Sequence, residues 1–408
     1  MPEAYIVDAV RSPIGKFLGA FAGVSATDLG AYTLKGMLKR TNIDGSKVEE
    51  VIVGNVISAG LGQNPAKQVV MRSGLPATTP AYSVNKVCAS GLKAVGLASE
   101  SINAGNADIV IAGGIESMSN APFTLKGIRG YQKLGDISLQ DLIGKMREVM
   151  ASPADLTLVD EMVNGGLFDC YNDLHMGALA ERLAGEYSVT REEQDDFALE
   201  SHRRAAEATD KGRFKNEIIP VRLTEERTIS VDEGIRRDSS MEKLSGLKPA
   251  FQSNGTVTAG NSSQLSDGAS FLAIMSEKRI EEYGLKPLAR IEAYAASGID
   301  PALYGMAPVE AVRRVLSKTN LELSDVDLIE LNEAFCVQTL AVVKALGMDT
   351  EKLNVNGGAT ALGHPIGATG ARITTTLVHA LRDRKKNIGL ATLCHGGGGA
   401  AAMIVRRV

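Results

Sequence analysis

Leu34-Lys35-Gly36-Met37-Leu38-Lys39-Arg40-Thr41-Asn42 and Val312-Arg313-Arg314-Val315-Leu316-Ser317-Lys318-Thr319-Asn320 are two copies of one pattern. Leu34, Met37 and Leu38 recur as Val312, Val315 and Leu316. Apolar residues at i, i+3 and i+4 predict an amphipathic helix in each copy. Thr41-Asn42 recurs as Thr319-Asn320, and Ser46 as Ser324. Short apolar runs follow, Val51-Ile52-Val53 and Leu328-Ile329-Glu330-Leu331, which read as strands; the offset is a constant 278 residues. At offset 279, Asp108-Ile109-Val110-Ile111-Ala112 matches Asn387-Ile388-Gly389-Leu390-Ala391, and Ser90-Gly91 matches Thr369-Gly370. Each match is short, but their shared order and offset point to duplication. The chain is expected to be α/β, with two similar halves whose helices cover mixed sheets. Two such halves pack about a pseudo-two-fold axis, with a pocket where strand ends meet.

Between the copies the chain changes character. Residues 121–266 carry charged, irregular segments, among them Lys126-Gly127-Ile128-Arg129-Gly130 and Glu225-Glu226-Arg227. The expected organisation is a first half over 1–120, completed by about 267–287, an inserted segment over 121–266, and a second half over 288–408. An insertion of this kind is a candidate substrate lid or assembly surface.

With 408 residues, two or three domains are expected. Net charge is −4 and no basic block occurs, so nothing favours nucleic acid as a partner. No apolar run approaches the ~18 residues of a membrane span. The chain enters a strand-like Ala4-Tyr5-Ile6-Val7 without a signal peptide, and Arg406-Arg407-Val408 is no targeting tripeptide. A cytoplasmic location is expected. The cysteines, Cys88, Cys170, Cys336 and Cys394, are widely separated and form no Cys-x-x-Cys, so neither disulfides nor a metal site is expected.

Cys88 lies in Val84-Asn85-Lys86-Val87-Cys88-Ala89-Ser90-Gly91-Leu92-Lys93-Ala94, directly before a helix-like run. Helix N–H groups and the positive dipole end favour an anion, so Cys88 is expected to be held partly as thiolate, a nucleophile suited to making a thioester. Three further blocks stand out. Asn332-Glu333-Ala334-Phe335 follows the second-copy strand. Gly363-His364-Pro365-Ile366-Gly367-Ala368-Thr369-Gly370 opens a helix. Cys394-His395-Gly396-Gly397-Gly398-Gly399 ends a strand. Taken singly, each reads equally well as a turn or a local hydrogen bonder.

Together the four blocks resemble the thiolase family, and the resemblance runs from Val10-Arg11-Ser12-Pro13-Ile14-Gly15 to the terminal strand. It implies a thiolase fold, two duplicated α/β halves forming a five-layer αβαβα core, with an inserted loop domain for coenzyme A binding and assembly. It implies that Cys88 attacks an acyl-CoA carbonyl and carries the acyl group. His364 would take the thiol proton. Cys394 would deprotonate the α-carbon of acetyl-CoA in synthesis, or the incoming coenzyme A thiol in degradation. One oxyanion site would use His364 with a water held by Asn332, the other the backbone N–H groups of Cys88 and Gly396. The glycines after Cys394 are expected because only a residue without Cβ brings the main chain so close.

By the same resemblance, coenzyme A and substrate would be lined by Leu167, His175, Met176, Phe251, Ala259, Ser263, Leu265, Ala334 and Phe335, with Arg236 at the adenine end. Acyl-CoA, acetyl-CoA and coenzyme A are the implied partners, with no metal or redox cofactor. A homodimer or homotetramer is implied, the latter through a loop over Lys126 to Asp136. His202 and His379 read as structural. Several features depart from the compact, short-chain members. Asn261-Ser262-Ser263-Gln264 is similar to degradative, β-oxidation 3-ketoacyl-CoA thiolases. Tyr304 stands where short-chain enzymes often have Met. His395 follows Cys394, and about twenty extra residues lie between Ile143 and Met162. Condensation of two acetyl-CoA and thiolysis of a 3-ketoacyl-CoA both stay open, as does acyl length. The alternatives are a decarboxylating ketosynthase of the same fold, which usually pairs its cysteine with two histidines, and a silent coenzyme A or lipid-binding scaffold.

Overall fold

The computed structural model describes residues 2–130, 135–149 and 157–408. Nine strands follow one path through the main sheet: β1 (Ala4–Arg11), β2 (Glu50–Gly54), β3 (Ala81–Val84), β4 (Ile109–Ser117), β5 (Ser266–Ser276), β6 (Ala289–Gly298), β7 (Leu328–Leu331), β8 (Ile388–His395) and β9 (Gly399–Arg407). Their spatial order is β7-β8-β9-β6-β1-β5-β4-β2-β3, with Gly15–Lys16 pairing beside β5.

The duplication is visible in this order. In the first half β2 pairs parallel with β4, β4 antiparallel with β5, and β5 antiparallel with β1. In the second half β7 pairs parallel with β8, β8 antiparallel with β9, and β9 antiparallel with β6. The first half adds the edge strand β3, parallel to β2; the matching edge of the second half is a parallel bridge between Ile329 and Leu353. The halves join through two residue pairs, Tyr5–Arg290 and Ile6–Ala289. Strand β5, which follows the insertion, lies inside the first half.

Helices sort into three layers around the two half-sheets. Helices α1 (Ala26–Thr41) and α2 (Pro65–Ser73) cover the outer face of the first half. Helices α6 (Ala307–Thr319) and α7 (Cys336–Leu346) cover the outer face of the second. Between the half-sheets lie α3 (Ser90–Asn103) and α8 (Thr369–Asp383), in one apolar core with both halves. The result is five layers, αβαβα. Strands β4 and β5 are buried along their whole length, as strands covered on both faces must be. The Thr-Asn repeat also finds its reason: Asn42 and Asn320 each end their helix in the left-handed region, at φ 54° and 53°, which Asn tolerates.

The matched dipeptides Ser90-Gly91 and Thr369-Gly370 are where the central helices meet. A Cβ on Gly91 would stand 2.8 Å from the Ala371 nitrogen, and one on Gly370 would stand 2.3 Å from the Leu92 nitrogen. Only glycine allows this backbone contact. The crossing therefore brings the N-termini of α3 and α8 together, and with them Cys88 and His364.

The insertion packs over this end. It contains α4 (Met176–Glu186) and α5 (Arg191–Asp210), the latter opened by a Thr190–Glu193 capping box. Arg11, fully buried at the end of β1, binds Glu217 and, through two nitrogens, Asp232, tying the insertion to the first half. Of the extra residues between Ile143 and Met162, those up to Val149 belong to a helix, Leu139–Val149, and Thr157–Asp160 pairs antiparallel with Phe123–Lys126. Residues 150–156 of that stretch, and 131–134 of the Lys126 to Asp136 loop, lie outside the described residues.

Candidate active site

Cys88 is half-buried, two residues before α3, and His364 is buried in the loop before α8. Their contact is direct: His364 Nε2 lies 3.3 Å from Cys88 Sγ. His364 Nδ1 lies 2.6 Å from Thr369 Oγ1, and the Thr369 hydroxyl also lies 2.9 Å from the Pro365 carbonyl oxygen. A hydroxyl has one proton to give, and the carbonyl can only accept it. Thr369 therefore accepts from Nδ1–H, and the lone pair of Nε2 faces the thiol. Thr369 was read in the sequence only as a partner of Ser90 in the repeat.

The electrostatics correct the expected thiolate. Burial pushes the Cys88 thiol up to about 12, although the N–H groups of Gly396 and of Cys88 itself hydrogen-bond the sulfur and oppose this. Burial, reinforced by Arg372, lowers His364 to about 3. The helix N-terminus is present as expected, but desolvation outweighs it. At neutral pH the pair is thus thiol and neutral imidazole.

Cys394, buried at the end of β8, packs with Met176, Leu179, Tyr304 and Ala334. Burial raises its thiol well above the usual cysteine value, with a further contribution from Cys88. Tyr304 is buried beneath both cysteines and donates its hydroxyl to the Met176 carbonyl at 3.2 Å. Asn332 is buried, and neither atom of its side-chain amide has a hydrogen-bond partner among the described residues. Its neighbour Glu333 is an anchor, accepting from Ser201, Asn354 and the Thr360 N–H.

At Gly396 the surrounding protein does not by itself demand glycine. Its backbone is not left-handed, and a Cβ there would meet Val87 and Met176 at ordinary contact, 3.6 and 3.7 Å. The glycine requirement belongs to its neighbours. Gly397 and Gly398 have φ of +80° and +76°, and a Cβ on Gly398 would stand 2.2 Å from the Ile299 carbonyl oxygen. His395 donates Nδ1–H to the Gly396 carbonyl at 2.7 Å, so its side chain braces this turn.

The expected substrate residues fall into three groups. Leu167, Leu265 and Met162 pack against the same apolar cluster as Cys88, formed by Val56, Ile57, Met118 and Ile366. Met162 ends the stretch of extra residues, which thus reaches the site. Met176, Ala334 and Phe335 surround Cys394. His175 stacks on Phe251 at 4.8 Å, and Phe251 meets Phe335 edge-on at 6.1 Å. Ser263 is held to this wall by its N–H, which donates to the Ala334 carbonyl. Ala259 and Arg236 are exposed, and the Arg236 N–H donates to His202 Nδ1 at 3.1 Å. Glu116 escaped the sequence reading. Fully buried, it accepts from Asn55 and from the N–H groups of Val56, Ile57 and Gly367, clamping the loop after His364 to the end of β2. Among the described residues, no group of three or more His, Cys, Asp or Glu side chains is placed to hold a metal ion, and no helix is long and apolar enough to cross a membrane.

Comparison with known proteins agrees along the whole chain. The family described as thiolase, N-terminal domain, matches residues 4–278, and thiolase, C-terminal domain, matches residues 285–407. An acetyl-CoA acetyltransferase of Escherichia coli (strain K12) is 50% identical, with 100% of both chains covered. A probable acetyl-CoA acyltransferase of Staphylococcus aureus (strain MRSA252) is 46% identical, again over 100% of both. The crystal structure of the Bacillus anthracis acetyl-CoA acetyltransferase is similar with a TM-score of 0.92 at 41% identity, covering 100% of this chain and 99% of that one.

Proposed function

The chain belongs to the thiolase family and is an acyltransferase acting on coenzyme A thioesters; from that premise we propose which residues carry each step. Cys88 Sγ attacks the acyl-CoA carbonyl while its proton passes to His364 Nε2. The proton moves as the bond forms, because the resting pair is neutral. The carbonyl oxygen becomes an oxyanion, and collapse expels coenzyme A, protonated by Cys394, which is left as thiolate while His364 keeps the Cys88 proton. What remains is an acyl thioester on Cys88.

In the second step Cys394 acts as base. For condensation it takes a proton from the α-carbon of acetyl-CoA, the carbanion attacks the Cys88 thioester, and collapse expels the Cys88 thiolate, which takes its proton back from His364. For thiolysis it takes the proton of the incoming coenzyme A thiol. The N–H groups of Cys88 and Gly396, already directed at Sγ, are donors for the acyl-enzyme oxyanion. The unpartnered Asn332 amide, with His364, serves the oxygen of the second thioester. The single observation that carries this reading is the 3.3 Å contact of Nε2 with Sγ, with the imidazole tautomer set by Thr369.

The reading gives coenzyme A the wall of His175, Phe251, Ser263 and Phe335, and Arg236 the adenine end. It needs no metal or redox cofactor. It favours short acyl groups, since Cys88 packs against the apolar cluster of Val56, Ile57, Met118 and Ile366, and a Cβ on Gly166 would come within 2.8 Å of Ile366. It also takes residues 121–266 as the segment for coenzyme A binding and assembly into a dimer or tetramer. Four unpaired cysteines fit a reducing, cytoplasmic setting.

The test is Cys394→Ala. It should still take one acetyl group from acetyl-CoA onto Cys88 while losing condensation and thiolysis; loss of acetylation as well contradicts the division of labour. Thiolysis of acetoacetyl-CoA beside a medium-chain 3-ketoacyl-CoA tests chain length, and equal or better activity on the longer substrate overturns the short-chain reading.

A further inference from the structure

Glu116 lies one residue before the end of β4 and is fully buried. Its Oε1 accepts from Asn55 Nδ2 at 2.9 Å and from the Ile57 N–H at 3.2 Å. Its Oε2 accepts from the Val56 N–H at 3.2 Å and from the Gly367 N–H at 2.9 Å. Two donors on each oxygen suit a carboxylate and nothing else of that shape. A glutamine would keep one acceptor oxygen and turn its NH2 group towards N–H donors.

The segments joined in this way are specific. Val56 and Ile57 follow β2 in the first half, whereas Ile366 and Gly367 belong to the loop between His364 and α8 in the second. Val56, Ile57 and Ile366, with Met118 two residues beyond Glu116, form the apolar cluster against which Cys88 packs. Glu116 therefore bonds the backbone on both sides of that cluster: the N–H groups of Val56 and Ile57 on one, and the peptide N–H that follows Ile366 on the other. The Gly367 carbonyl is fixed as well. A Cβ on Gly114 would stand 2.1 Å from its oxygen, one on Gly54 2.8 Å and one on Gly91 3.0 Å, so three glycines of the first half open a socket for it. The loop that carries His364 and Ile366 is thus plugged into the first half at Gly367, with Glu116 holding its N–H.

Resting on the assignment of Cys88 as acyl carrier, we propose that Glu116 is a positioning residue that sets acyl-chain selectivity: by joining the Val56-Ile57 segment to the Ile366-Gly367 segment, it fixes the space beside Cys88 that receives the acyl group. An acyl group on Sγ lies against the surface on which Cys88 packs, and that surface has two sides drawn from different halves of the chain. Apolar contact alone is non-directional and lets the sides shift against one another. Hydrogen bonds converging on one carboxylate fix both distance and direction. A side that yields admits a longer chain, and a fixed one excludes it. Loss of Glu116 should affect selectivity more than the proton transfer, because His364 keeps its own bonds, from Nδ1 to Thr369 and from its N–H to the Gln264 carbonyl.

The test is the ratio of kcat/KM for thiolysis of acetoacetyl-CoA to that for 3-ketohexanoyl-CoA, measured on the full-length enzyme. Glu116→Gln should move this ratio by at least about tenfold in favour of the longer substrate, the low end of what one methylene is worth in an apolar pocket. Asn55→Ala removes one of the four donors and should move the ratio the same way by a smaller factor; it serves if Glu116→Gln does not fold or turn over. A ratio that is unchanged, or that moves towards the shorter substrate, overturns the proposal even if both rates fall, since an equal loss on both substrates reports packing alone. Acetylation of Cys88, followed by mass in the same proteins, keeps the two claims apart. A shifted ratio without an adduct on Cys88 removes Cys88 as acyl carrier and leaves Glu116 as the selectivity residue. An adduct on Cys88 with an unchanged ratio removes only the role of Glu116.

Discussion

The hydroxyl of Thr369 sits 2.6 Å from Nδ1 of His364 and gives its own proton to the Pro365 carbonyl, so a threonine decides which nitrogen of the imidazole is basic. Metal-free sites and metal sites alike use such a second group to set a histidine tautomer. Thr369→Val should preserve packing and lower kcat for thiolysis by about tenfold or more, the ~1–2 kcal/mol of one buried hydrogen bond lost at the reacting centre. Thr369→Ser should retain most activity. Steady-state thiolysis of acetoacetyl-CoA separates the two variants, and equal activity in both would show that the tautomer does not depend on residue 369.

Among the described residues, nothing hydrogen-bonds either amide atom of the buried Asn332 side chain. A buried amide left open in this way is suited to a charge that appears only during reaction. Asn332→Ala should reduce kcat by ~10²–10³ with little change in KM, the usual cost of one oxyanion donor. A change confined to KM would place Asn332 in ground-state binding instead.

The turn after Cys394 separates backbone need from chemistry. Gly398→Ala meets the Ile299 carbonyl and a left-handed φ, and should destabilise the fold by about 1–3 kcal/mol in denaturant unfolding. Gly396→Ala meets neither obstacle and should unfold within about 0.5 kcal/mol of wild type. Equal destabilisation by both would mean the turn tolerates no side chain anywhere.

Cys88 should respond to pH as a buried thiol. Its proton is held in the folded state to about 12, above the ordinary cysteine value, so the thiolate fraction grows only as pH rises. The rate of iodoacetamide alkylation of the free enzyme should therefore climb continuously from pH 6 to about 9, through the ordinary cysteine range, without levelling. A plateau reached near pH 6 would indicate a preformed thiolate–imidazolium pair.

Much of this site was legible in the sequence because its chemistry is written in short contiguous blocks. Cys88, His364, Cys394 and Asn332 each lie at or beside the end of an element, and the repeat already implied two similar halves with a pocket where their strand ends meet. What stayed hidden depends on tertiary placement. The thiolate expected at Cys88 followed from a local helix dipole, but its protonation is set by burial from Val56, Ile57, Met118 and Ile366. The run of glycines after Cys394 did not show which of them the turn itself requires, because positive φ at Gly397 and Gly398 is a property of the turn's path. Arg11 was read only as part of a motif; its carboxylate partners, Glu217 and Asp232, lie more than 200 residues away, where no spacing rule reaches. Met162 entered the site through residues whose only visible feature was that they were extra.

The central claim is that Cys88 carries the acyl group, and intact-mass measurement after incubation with acetyl-CoA tests it most directly. Wild-type protein should gain one acetyl group, located by peptide mapping to Cys88, and Cys88→Ala should gain none. An acetyl adduct on Cys88→Ala, or one mapped to Cys394 in the wild type, would contradict the account.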